Sequence, residues 1–114
     1  MVYYSTTLDG TFSALADPTR RAIISKLAEG EMPIMEIAAP FDMSLPAVIK
    51  HIRILEAAGL VTRRKQGRVR YCRLNAKPLR EAAEWLAFYQ KFWDARLDSL
   101  AGFLESDSGR EGEE

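Results

Sequence analysis

The stretch Ser44-Leu-Pro-Ala-Val-Ile-Lys-His-Ile-Arg-Ile-Leu-Glu-Ala-Ala-Gly-Leu60 carries its own start and stop signals. Ser44 is a good N-cap. Pro46 falls in the first turn, where a missing N–H costs little, and Gly59 is a good C-terminal stop. At roughly 100° per residue, Leu45, Val48, Ile52 and Leu55 share one face, which predicts an amphipathic helix. Lys50 falls nearly opposite Val48, with Pro46, Ala47, Arg53 and Ile54 around it. Glu56 is the only acid in the helix, so the outer face lacks the mixed charges of an ordinary solvated surface. Small residues allow close approach, and cations meet phosphates and base edges, so the face suits a DNA major groove. On this helix alone, a plain surface helix with solvated charges is an equally open reading.

The flanks add context. Upstream, Pro33 opens a short helix with Ile34, Ile37 and Ala38 apolar; Pro40 closes it and Phe41-Asp42-Met43 makes a turn. Short helix, tight turn and helix with a basic face form a helix-turn-helix pattern. Downstream, Leu60–Lys65 and Arg68–Leu74 read as a β-hairpin around a Gln66-Gly67 loop. That loop places Arg63 opposite Arg70, Lys65 opposite Arg68 and Val61 opposite Cys72. Like charges directly opposite are destabilising, so a polyanion lying on that face would compensate them. A solvated edge hairpin whose cations discourage aggregation is the alternative.

Further out, residues 1–7 read as a loose lead-in, and Leu8, Phe12 and Leu15 predict a short first helix to about Ala16. Asp17-Pro18 then starts a second helix, with Ala22, Ile23, Ile24 and Leu27 inward, ending near Gly30. From Pro78 to about Glu105 runs a long helix on which Trp85, Phe88, Tyr89, Phe92 and Trp93 recur at spacings of three and four, continued by Leu97, Leu100, Phe103 and Leu104. With Leu86 added, this apolar surface is wider than one helix needs to cover so small a domain. A symmetric dimer, in which this helix and Leu8 and Phe12 of the first helix pack against their copies, would bury it. A large monomeric core is the other reading. One domain is expected over residues 1–105, followed by a disordered acidic tail at 106–114.

Net charge is zero over 114 residues, but its distribution is uneven. Residues 44–80 carry ten cations against one acid, whereas residues 1–43 and 81–114 are both net acidic. A neutral chain with one strongly basic block has an electrostatic face. No apolar run reaches the ~18 residues of a membrane span, and the first ten residues lack the parts of a signal peptide. A lone Cys72 excludes an intrachain disulfide and fits a reducing compartment, so a cytoplasmic location is expected. An enzyme is not expected: His51 is the only histidine, and no nucleophile-elbow, Walker or dinucleotide-binding motif occurs. Cys72 reads as a structural strand thiol, although nearby arginines could lower its pKa and make it a redox switch.

The order helix, helix, helix-turn-helix, basic hairpin, long helix is that of a winged helix-turn-helix domain. Phe12-Ser-Ala-Leu-Ala-Asp-Pro-Thr-Arg-Arg-Ala-Ile-Ile24, Leu45–Val61 and Arg64-Lys-Gln-Gly-Arg-Val-Arg-Tyr71 closely resemble the arsenic-repressor (ArsR/SmtB) family of bacterial regulators, over about residues 8–104. The resemblance implies a homodimer binding an imperfect inverted repeat in double-stranded DNA. Helix 44–58 would enter the major groove, with Ser44, Pro46, Ala47 and Lys50 near base edges and Arg53 on phosphate. The hairpin would be the wing, with Arg63, Lys65, Arg68 and Arg70 on the DNA backbone and Gly67 at its tip. His51 would contact phosphate or pack on the wing. The family's metal-sensing Cys-x-Cys pair aligns within Glu31-Met-Pro-Ile-Met-Glu36, where both thiolates are gone. Zinc takes about four Cys, His or carboxylate ligands, which Cys72 and His51 do not supply. Met32 and Met35 read as packing residues. No metal or cofactor is therefore implied, and no small-molecule effector is identified. Ile49 replaces the small hydroxyl residue common before Lys-His, which touches base preference there. The competing function is a winged-helix interaction module that dimerises without specific DNA binding.

Overall fold

The computed structural model describes the backbone of residues 2–113 and the side chains of residues 7–106. Within these bounds, five helices and three strands follow in the order α1 (Val2–Leu15), α2 (Pro18–Leu27), β1 (Met32–Pro33), α3 (Ile34–Ala38), α4 (Leu45–Ala57), β2 (Val61–Gln66), β3 (Val69–Leu74) and α5 (Lys77–Glu113). Residues 1–82 form one compact unit and residues 83–114 a second. The architecture is mainly helical with a small antiparallel sheet, as the sequence predicts. Three details differ. α1 begins at Val2, so the lead-in is helical in its backbone. α5 continues through Glu113, where a disordered tail is expected; residues 103–113 contain no proline to break it. And the hairpin gains a third strand.

That third strand is β1. The sheet order is β1-β3-β2, with Met32 opposite Cys72 and Pro33 opposite Tyr71. Pro33 is tolerated because β1 is an edge strand of two residues, where a missing N–H leaves no central ladder bond unmade. It then serves as N-cap of α3 in extended conformation. Met32 is buried on the sheet, whereas Met35 is two-thirds exposed and is no packing residue.

The core of the first unit is built on α4. Val48, Ile52 and Leu55 are fully buried, against Ile23 and Leu27 of α2, Ile37 of α3, Leu60 just before β2, and Val61 and Cys72 of the sheet. Each such side chain is worth about 1.5–3 kcal/mol of burial. Leu45, expected on this face, lies too near the N-terminus of α4 to reach the core and is 38% exposed.

α4 starts and stops as its sequence predicts. The Ser44 hydroxyl accepts the Ala47 N–H at 3.3 Å. At the other end Gly59 takes φ +78°, and its N–H reaches the Glu56 carbonyl while that of Leu60 reaches Leu55. This pair of bonds is the Schellman stop, completed by apolar contact of the buried Leu55 and Leu60. A Cβ on Gly59 would meet only Pro78 Cγ, at an ordinary 3.8 Å. The left-handed backbone, not a clash, is the constraint. Gly59→Ala should therefore lower unfolding stability by about 1–2 kcal/mol in urea titration, and Gly59→Asn should recover part of the loss.

Candidate nucleic-acid interface

The wing departs from its expected register. Gln66 pairs with Val69, Lys65 with Arg70, Arg64 with Tyr71, Arg63 with Cys72 and Val61 with Leu74. The two-residue loop is thus Gly67-Arg68, one position later than predicted. Gly67 has φ +62° and no other residue of the loop has positive φ. Glycine at the first loop position is the type II′ arrangement, whereas a Gln66-Gly67 loop of type I′ would force positive φ on Gln66 as well. The shift by two in pairing keeps each side chain on its expected face but changes every partner. Neither expected like-charge pair forms, and one new pair, Lys65 opposite Arg70, takes their place; Arg68 is in the loop and Arg63 faces Cys72.

Arg63 and Arg64 are held by acids. Arg63 donates to both carboxylate oxygens of Glu56 in α4, at 2.7 and 2.9 Å, a bidentate strap from wing to helix. Hydrogen bonding to Glu56 raises the Arg63 pKa further, so its charge is permanent. On the other face of the sheet, Arg64 donates to Glu31 at 2.5 and 3.3 Å and lies 4.6 Å over the Tyr71 ring. The same pairing holds the Glu31 carboxyl below its ordinary pKa. Neither acid partner is signalled by helical or strand spacing, since Glu31 lies 33 residues from Arg64.

By contrast, Lys50, Arg53, Lys65, Arg68 and Arg70 have no ion-pair or hydrogen-bond partner among the described residues. Arg53 of α4 and Arg68 and Arg70 of the wing line one cleft of about 330 Å³, whose apolar surface includes Met35, Ile49 and Val69. Ser44, Pro46 and Lys50 are exposed and Ala47 is half-buried on the same helix.

His51 is placed differently from one of its two sequence readings, packing on the wing. It turns instead toward the start of α2. Its Nδ1 lies 3.3 Å from Arg20 Nη1 and 3.9 Å from Asp17 Oδ2, at the start of α2. A guanidinium only donates, so Nδ1 accepts and the ring proton sits on Nε2. Arg20 also donates to the Ala14 and Ser13 carbonyls at 2.6 and 3.3 Å, and so ties the end of α1 to α4. Asp17 caps α2 by accepting the Arg20 N–H at 3.1 Å. That backbone bond, with the Arg20 charge nearby, holds its carboxyl below the ordinary value. Asn75 is a further residue with no sequence expectation attached. Its N–H reaches the Leu60 carbonyl and its side-chain amide the Gly59 carbonyl, both at 2.8 Å.

In the second unit, the aromatic side chains of α5 stack along the helix itself. Trp85 and Phe88 each meet Tyr89 edge-on with centroids 5.1 Å apart. Phe92 is 56% and Trp93 69% exposed, and Phe88, Leu97 and Leu100 are exposed as well. Of the α1 residues expected at a partner surface, Phe12 is exposed but Leu8 is buried within the chain. Among the described residues no three Cys, His, Asp or Glu side chains converge as metal ligands, and no helix is long and apolar enough to cross a membrane.

Residues 17–63 match the model of the bacterial regulatory proteins of the arsR family. An HTH-type transcriptional regulator of Mycobacterium tuberculosis is 35% identical over 99 residues, which span 87% of this chain and 90% of that protein. The transcriptional repressor SdpR of Bacillus subtilis is 33% identical, over 69% of this chain and 88% of its own length. Among solved structures, an ArsR family transcriptional regulator is 46% identical with a TM-score of 0.73, covering 79% of this chain and 93% of that one. A homodimeric winged helix-turn-helix DNA-binding domain of Mycobacterium bovis is 27% identical, with a TM-score of 0.62 over 85% of this chain and 87% of its own.

Cys72 is fully buried on the inner face of the sheet. Burial pushes its thiol up to about 11, with the opposing pull of Arg63 too weak to offset it. A thiolate is the reactive form. Cys72 should therefore resist a disulfide exchange reagent at pH 8 in the native protein and react at once in denaturant; rapid native-state reaction would restore the redox-switch reading.

Proposed function

The chain belongs to the arsR family of bacterial regulatory proteins and is a transcriptional regulator; we propose that it is a repressor binding an inverted-repeat operator in duplex DNA as a homodimer. The observation that carries this is the division of the basic block into held and unheld cations. Glu56 and Glu31 engage Arg63 and Arg64, while Lys50, Arg53, Lys65, Arg68 and Arg70 lack partners among the described residues. Unpaired cations concentrated on α4 and the wing favour a polyanion over plain solvation. Repression is what a relative, SdpR, is named for.

In this reading the N-terminal half of α4, with Ser44, Pro46, Ala47 and Lys50, enters the major groove and Arg53 meets phosphate. The wing, with Gly67 and Arg68 at its tip and Lys65 and Arg70 behind, follows the backbone toward the minor groove. Arg63 moves from direct contact to a positioning part, because its guanidinium is occupied by Glu56. His51 keeps one role open: with Nδ1 taken by Arg20, its Nε2–H is a donor for a phosphate oxygen. The uncovered aromatic face of α5, from Trp85 to Leu100, pairs with its copy, in keeping with the homodimeric Mycobacterium bovis domain. Regulation by metal is not expected. Pro33 and Met35 stand where the metal-sensing members carry thiolates, and proline has no donor atom to offer.

Gel shifts against the protein's own upstream region test the DNA assignment. Arg68→Ala should shallow the log K versus log salt slope by about 1 for each phosphate no longer neutralised, or about 2 in a dimer, for specific and random DNA alike. Arg63→Ala should instead lower stability by up to about 1 kcal/mol with little change in slope. An unchanged slope for Arg68→Ala makes the wing structural and favours a dimerising module without DNA specificity. Affinity should be equal with chelator, zinc or arsenite.

Sedimentation tests the dimer separately. Wild type should be dimeric at micromolar concentration, and Phe92→Glu should give monomer or aggregate. A well-folded wild-type monomer would remove the α5 interface.

A further inference from the structure

The base-reading groups that α4 can offer are few. The Ser44 hydroxyl accepts the Ala47 N–H as helix cap. Beyond it, the positions of α4 not buried in the core on the outward and wing-facing sides are Leu45, Pro46, Ala47, Ile49, Lys50, Arg53 and Ile54, with His51 turned toward Arg20. None of these carries a side-chain amide, hydroxyl or carboxylate. Adenine is read by an amide that donates and accepts together, and cytosine by a carboxylate. The one acid of α4, Glu56, is bound to Arg63. Lys50 remains for guanine, whose O6 and N7 are acceptors.

What is left is apolar. Leu45 is 38% exposed, Pro46 is exposed, and Ile49 lines the cleft beside the wing together with Met35 and Val69. Arg53, Arg68 and Arg70 rim that same cleft. A surface shaped for phosphate alone has no use for aliphatic side chains between its cations, and Ile49, though it rests partly on the core, still lines the cleft that they rim. The major groove presents one apolar feature, the C5-methyl group of thymine.

We infer that Leu45, Pro46 and Ile49 read thymine methyl groups, so that each operator half-site is specified by thymines beside a guanine met by Lys50. The inference rests on the reading of α4 as the groove helix and deepens it into a base preference.

Selection from a random duplex pool with the full-length protein, followed by resynthesis of the recovered site with deoxyuridine at each thymine in turn, tests it. Uracil keeps the base pairing and removes only the methyl group. Affinity should fall about fourfold for one contacted thymine and about 15-fold when both half-sites are changed, the value of one buried carbon per site. Leu45→Ser, at an exposed position that leaves the core intact, should bind the thymine and uracil forms of its contacted position alike. Equal binding with uracil at every position, or half-sites without thymine, overturns the inference and leaves the DNA-binding reading standing. Recovery of no preferred sequence overturns that reading and this inference with it.

Discussion

The placement of the wing against α4 depends on how the chain leaves that helix. Gly59 turns the backbone into the left-handed region, Leu60 drops into the core, and Val61 begins β2 at once. Asn75, at the far end of the hairpin, closes the same corner with two hydrogen bonds to Gly59 and Leu60. Both ends of the wing are thereby anchored at one point on the C-terminus of α4. The Arg63–Glu56 pair adds a second strap one turn back along the helix. Without that corner the hairpin would pivot about Leu60, and its cations would have no fixed relation to Lys50 and Arg53.

Anchoring has an electrostatic consequence. A hairpin with six basic residues repels itself, and the fold manages this by sorting. Arg63 and Arg64 point to opposite faces of the sheet and each finds a carboxylate, one on α4 and one just before β1. Exposed or part-exposed pairs of this kind contribute little to stability, about 0–1 kcal/mol each. Their larger effect is to set directions: the inner guanidinium fixes the wing's tilt and the outer one covers Tyr71. Lys65, Arg68 and Arg70, at the tip, are left without partners among the described residues, where a ligand can supply the compensating charge.

At the middle of α4 the link runs to α1 and α2. Arg20 bonds the Ala14 and Ser13 carbonyls at the C-terminus of α1, and in the same geometry donates to His51. A cation at a helix C-terminus is favourable for the helix dipole as well. The helix that carries the candidate base-reading residues is thus held at Gly59 beyond its C-terminus and at His51 in its middle, and along its length by the buried stripe Val48, Ile52 and Leu55.

The sequence by itself determined the elements whose signals are local. Ser44, Pro46 and Gly59 mark α4, Asp17-Pro18 marks α2, and spacings of three and four mark the apolar faces, because capping and periodicity act within one or two turns. The family pattern and the uneven charge were legible for the same reason, being properties of order along the chain. Only the tertiary structure decided the hairpin register, the third strand and which cations stay unpaired. Register turned on whether the positive φ of Gly67 fell first or second in the loop, a choice the residue names Gln-Gly-Arg leave open. The pairing of β1 with β3, of Arg64 with Glu31, and of His51 with Arg20 joins residues some 30 or more positions apart. No local rule connects them; packing of the core brings them together, and only then do charge and hydrogen bonding choose among the neighbours.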